Sequence, residues 1–169
     1  FPQGVAYNPE KAKQPKAPYR IFNIDRGARA AKKMNKNVSK ITSYESLDPK
    51  YRSGNAAWAN KRFTTHQDAT SACAFFIYYI KEMFLDRESG GFTIGKLAKS
   101  YTGESNWPQY ASDVAKYLSK KLNRNITPNS TVEYNEPFMC ALGEIIAVKE
   151  QSRNVTQYIH TAWSQANSA

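Results

Sequence analysis

From Asp68 onward, apolar side chains recur at helical spacing in runs opened by capping residues, and that pattern commits this part of the chain to an all-α fold. Asp68 precedes Ala69 to Leu85, where Ala72, Phe75, Phe76, Tyr79, Ile80 and Met83 fall three and four residues apart, and Gly90-Gly91 closes the run. Thr93 is placed to cap a short helix over Ile94 to Tyr101, with Gly103 beyond its end. Asn106 stands before Trp107-Pro108, where proline is tolerated because amides of the first turn have no partner within the helix. Tyr110, Val114, Tyr117 and Leu118 then form an apolar stripe down to Leu122. Asn135-Glu136-Pro137 repeats that start signal for Phe138 to Lys149, with Met139, Leu142, Ile145 and Ile146 inward, and Val155 to Trp163 carries Tyr158, Ile159 and Trp163. The spacing predicts a compact bundle of about five helices over residues 68–169, joined by short connections. No heptad pattern persists and no internal repeat is visible, which argues against a coiled coil.

Residues 1–67 read differently. Pro2, Pro9, Pro15 and Pro18 punctuate a stretch to Tyr19 without apolar periodicity, which predicts an extended arm. Asp25 can cap a short helix through Arg26, Ala28, Arg29, Ala30, Ala31, Lys32, Lys33 and Met34. Residues 35–65, rich in Asn, Ser, Lys and Tyr with turn signals at Asp48-Pro49 and Ser53-Gly54-Asn55, predict a long irregular connection. The expected organisation is therefore a basic arm, short helix and connection over 1–67, followed by a helical domain over 68–169.

Charge follows the same division. The net charge of the chain is +10, and residues 1–63 alone carry 14 Lys and Arg against 4 acids, so the remainder is balanced. An anionic partner is implied for the first segment only. Lys11, Lys13, Lys16, Arg20, Arg26, Arg29, Lys32, Lys33 and Lys36 cluster there with Tyr7, Tyr19 and Phe22 interleaved, a combination that offers cations to phosphates and aromatic faces to exposed bases. No base-reading module accompanies them, so nucleic-acid binding through this segment is expected to be salt-sensitive and sequence-tolerant. Docking on an acidic neighbouring subunit accounts for the same composition equally well.

With 41% hydrophobic residues the chain has material for a genuine core, yet no apolar run reaches the length of a membrane-spanning helix. Phe1 opens the chain with neither an initiator Met nor an apolar leader, as expected of a processed product or a cloning boundary. Cys73 and Cys140 sit on the apolar faces of predicted helices, where free buried thiols are expected in preference to a disulfide.

Chemistry-bearing motifs are sparse. His66 and His160 have no ligand companions at metal-binding spacing along the chain, so no metal site is expected. Neither a Gly-x-Ser-x-Gly elbow nor a Cys/His pair announces a nucleophile, and no phosphate-cradling Gly-Lys-Ser or Gly-Lys-Thr follows the glycines, so no cofactor is implied. Among carboxylates, Glu104 stands in a polar loop beside an aromatic able to stack on a sugar, and Glu150, Glu144 or Glu136 could supply the second acid that glycoside hydrolysis requires. The structural alternative has Glu104 meeting the positive end of a helix dipole, and Glu144 or Glu150 solvating an exposed helix face.

The run Phe92-Thr93-Ile94-Gly95-Lys96-Leu97-Ala98-Lys99-Ser100-Tyr101, then Gly103-Glu104-Ser105-Asn106, then Tyr110-Ala111-Ser112-Asp113-Val114-Ala115, resembles a family of small tailed-phage virion structural proteins. That family joins a Thr-Ile or Thr-Val helix to a Glu-Asn loop and a Tyr-x-x-x-Val-Ala helix. Its last helix ends in an Ile-Ile-x-x-Glu-type pattern, which Ile145-Ile146-Ala147-Val148-Lys149-Glu150 is similar to with an offset of one residue. Gly27-Ala28-Arg29-Ala30 has the letters of the family's opening element but lies further from Thr93 than the family spacing, and Tyr101-Thr102-Gly103 replaces its aromatic-Ala-Pro-Pro loop. The resemblance spans 68–150. It implies a virion protein, made in the host cytoplasm, with a compact helical domain of a kind likened to lysozyme folds, and other virion subunits as partners. The expectation is thus a structural or accessory particle component. Its alternatives are a peptidoglycan-degrading virion enzyme using Glu104 and a non-specific nucleic-acid-binding protein.

Overall fold

The computed structural model describes residues 21, 22, 24, 68–88, 90–102, 105–151 and 153–167. Among them are five α-helices: α1 (Ala69–Met83), α2 (Ile94–Thr102), α3 (Trp107–Leu122), α4 (Glu136–Gln151) and α5 (Thr156–Ala166). A 3₁₀ turn at Leu85–Arg87 follows α1, and the described residues contain no strand beyond a single antiparallel bridge between Thr93 and Thr131. The all-α expectation is met.

Local chemistry sets most of the helix starts. Asp68, in extended conformation, accepts the Ser71 amide on Oδ1 at 2.7 Å, and Asn135 Oδ1 accepts the Phe138 amide at 2.9 Å. Thr93 Oγ1 takes the Lys96 amide at 3.2 Å. The next orphan amides of α2 go to another part of the chain, Ile94 N–H to Ser130 O at 3.0 Å and Gly95 N–H to Pro128 O at 2.8 Å. A Cβ at Gly95 would stand 3.2 Å from Pro128 O, so that close backbone approach depends on glycine. Asn123 ends α3 in the left-handed region at φ 53°, a conformation asparagine tolerates better than most residues.

One boundary departs from expectation. Helix α1 stops at Met83, well before Gly90-Gly91. Phe84 leaves helical geometry, and its ring stacks on Phe92 with centroids 5.2 Å apart and meets Tyr79 edge-on at 5.4 Å. Aromatic packing across the chain, not a local glycine, accompanies the end of the helix.

Helix α4 is central. Every residue from Phe138 to Val148 is buried, and α4 packs against α1, α3 and α5, while α1 packs extensively on α5 and α2 on α3. A helix that is apolar nearly all round has no solvent face, and this run offers Glu144 as its single charge. The placement of Glu144 on an exposed face is therefore corrected: it is 5% exposed. Gly143 makes room at the α4–α5 crossing, where a Cβ would come 2.9 Å from Ile159 Cδ1. Cys73 and Cys140 are free and buried, as expected.

The core also takes in Ile21, Phe22 and Ile24, all at most 3% exposed. Phe22 stacks on Phe76 of α1, centroids 4.2 Å apart. Phe22 is thereby corrected from a base-stacking aromatic to a core side chain, because the apolar surface of α1 competes for it. Among the described residues no helix is long and apolar enough to cross a membrane.

Candidate functional site

On α3, Tyr110, Asp113, Tyr117 and Lys121 lie three or four residues apart and so share one helix face. That face meets Glu150, Lys149 and Glu144 of α4, and the order of the pairs shows the helices running antiparallel. Tyr110 OH donates to Glu150 Oε1 at 2.9 Å, Lys149 Nζ donates to Asp113 Oδ2 at 2.7 Å, and Tyr117 OH donates to Glu144 Oε2 at 3.2 Å. Lys121 Nζ lies 3.6 Å from the same Glu144 oxygen. Lys149 also stands over the Tyr110 ring, 4.8 Å from its centroid, and Gln109 donates to Asp113 Oδ1 at 2.9 Å. The seam is a ladder of polar rungs laid between the amphipathic α3 and the apolar α4.

Glu144 is its most enclosed member. Thr156 Oγ1, at the start of α5, donates to Glu144 Oε2 at 2.7 Å, so one carboxylate joins three helices. Burial pushes the Tyr117 phenol well above its ordinary range, and the Glu144 charge and their hydrogen bond push it further. A carboxylate only 5% exposed and held by two hydroxyls and an ammonium ties the three helices together.

The sequence-derived site residues fall in two groups. Glu150 is described and accepts the Tyr110 hydroxyl across the seam. Glu104 lies outside the described residues, as do Lys11, Lys13, Lys16, Arg20, Arg26, Arg29, Lys32, Lys33, Lys36 and His66. The expected arm, the helix after Asp25 and the irregular connection also lie outside them.

One grouping is only partly written in local spacing. Glu136 and Cys140, four residues apart at the start of α4, converge with His160 of α5, and their ligand atoms all lie within 4.8 Å of one another. His160 Nδ1 is 3.0 Å from Glu136 Oε1, and the Cys140 thiol points to Ile159 O at 3.7 Å. Burial, with the Glu136 and Glu144 charges behind it, holds the Cys140 thiol up at about 12. A Glu-x-x-x-Cys pair on one helix face was the available signal; its third member came only from the α4–α5 contact.

Comparison of the chain with protein-family models, curated proteins and solved structures returns no match.

Proposed function

We propose that this protein is a non-enzymatic structural or accessory component of a phage particle, a neutral helical body joined to neighbouring subunits or packaged nucleic acid by its basic N-terminal segment. The observation that carries this reading is the charge partition: residues 1–63 hold the whole net charge of +10. The body supports it by using its seam carboxylates to tie helices together, with Glu144 and Asp113 each engaged across an interhelical contact. The resemblance of residues 68–150 to tailed-phage virion proteins supplies the particle context. The burial of Ile21, Phe22 and Ile24 supports a firm attachment between the basic segment and the body.

The test follows from that attachment. Deleting residues 1–63 would open the core at Phe22, so the informative variants are a deletion of 1–19 and a full-length chain with Arg26, Arg29, Lys32, Lys33 and Lys36 changed to Gln. Salt-titrated DNA binding and gel filtration should show weaker association for both variants, with a shallower salt slope for any DNA binding. Association unchanged in both variants would overturn the reading.

A further inference from the structure

We propose that Glu136, Cys140 and His160 form a binding site for a borderline-soft divalent cation of the Zn²⁺ class, linking the first turn of α4 to α5. The donors are of three kinds, a carboxylate oxygen, a thiol sulfur and an imidazole nitrogen, and they already lie within 4.8 Å of one another. Tetrahedral coordination with bonds of about 2.0–2.3 Å places its donor atoms roughly 3.3–3.6 Å apart. Capture therefore requires the Glu136–His160 contact of 3.0 Å to open slightly and the sulfur to close in by at most about 1.5 Å, within the reach of side-chain rotation.

The surroundings favour entry from one side. Glu136 and His160 have side chains 47% and 56% exposed, while Cys140 is buried beneath them, so a hydrated cation meets the oxygen and nitrogen first and the sulfur last. On binding, the S–H bond breaks, its proton passes to solvent, and the sulfur exchanges its contact with Ile159 O for the metal. Thiolate and carboxylate together neutralise a divalent cation and offset the electropositive start of α4, which alone would repel it. Three protein ligands leave a fourth position for water. The thiolate and imidazole select Zn²⁺, Co²⁺, Ni²⁺ or Cu²⁺ over Mg²⁺ and Ca²⁺, which prefer all-oxygen shells.

Titrating Co²⁺ into the full-length chain tests this directly. The expected result is one equivalent bound with a near-ultraviolet thiolate-to-cobalt absorption band and intense tetrahedral visible bands, both displaced by Zn²⁺ and unaffected by Mg²⁺. Glu136→Gln and His160→Gln, at exposed positions that leave the core intact, should each weaken binding at least about tenfold. Cys140→Ser should abolish the thiolate band, and if that variant fails to fold the two exposed variants decide. Absence of the thiolate band in the wild-type chain, or a band and affinity unchanged by His160→Gln, would overturn the site.

Discussion

Phe22 lies nearly parallel to Phe76, with ring planes 13° apart and centroids separated by 4.2 Å, so a residue from the strongly basic segment completes the core of the helical body. Replacing Phe22 with Ala removes a buried ring and leaves a cavity over α1. The expected cost is about 3 kcal/mol, at the lower end for truncation of a buried aromatic side chain. Chemical denaturation of the full-length chain measures it, and Phe22→Leu should lose clearly less. A loss below about 0.5 kcal/mol, the size of an ordinary surface substitution, would show that the stacked contact contributes little to stability.

Gly143 and Ile159 define a second dependence. In a solvated helix, Gly→Ala is stabilising by about 1 kcal/mol, but here the new methyl would meet Ile159 Cδ1 at 2.9 Å and Phe76 at 3.5 Å. Overpacking of a core costs about 1–3 kcal/mol, so Gly143→Ala should be neutral to destabilising. Ile159→Val deletes the obstructing methyl, and in that background Gly143→Ala should become stabilising. A double-mutant cycle should therefore give a favourable coupling of about 1 kcal/mol, and additive effects would sink the steric account.

Removal of Glu144 should be costly in a way its charge alone does not explain. Glu144→Ala leaves the hydroxyls of Tyr117 and Thr156 without their shared acceptor and Lys121 without its counter-charge. The expected loss is about 3 kcal/mol, compared with about 1 kcal/mol for Tyr117→Phe, which removes a single donor. Glu144→Gln keeps an acceptor oxygen and should fall between them. Thermal unfolding of the three variants ranks them, and a Glu144→Ala protein as stable as wild type would exclude the tie between α3, α4 and α5.

Alkaline pH should destabilise the protein through buried groups, Cys73, Cys140 and Tyr117 foremost among them. Burial raises the folded-state pKa of Cys73, Cys140 and Tyr117 above their ordinary values of 9.0, 9.0 and 10.0. Each group keeps its proton in the folded chain at a pH where the unfolded chain has released it. Stability from this source is thus complete below about pH 8 and declines as pH rises beyond 9, by at most about 1.4 kcal/mol per pH unit for each group. For Cys140 the decline continues to about 12. Denaturant midpoints measured between neutral and strongly alkaline pH should show this fall, and a Cys73→Ala, Cys140→Ala chain should show a shallower one. A midpoint that rose with pH across this window would contradict the assignment.

What the sequence determined by itself was local. The all-α architecture and the caps at Asp68, Thr93 and Asn135 rest on backbone bonds and side chains only three or four residues apart, so spacing and residue type were enough. The buried thiols were legible for the same reason, since each lies on an apolar helix face. Tertiary structure decided the rest. Glu144 looked like a surface acid because helical periodicity reports which residues share a face and not how many faces are covered; α4 is covered on nearly all of them. Phe22 looked available to a ligand until the apolar surface of α1 claimed it, and His160 looked isolated until α5 carried it to the first turn of α4. Each of these outcomes joins residues far apart in the chain, where the burial of apolar surface decides which helices meet and polar groups take the partners that packing leaves them.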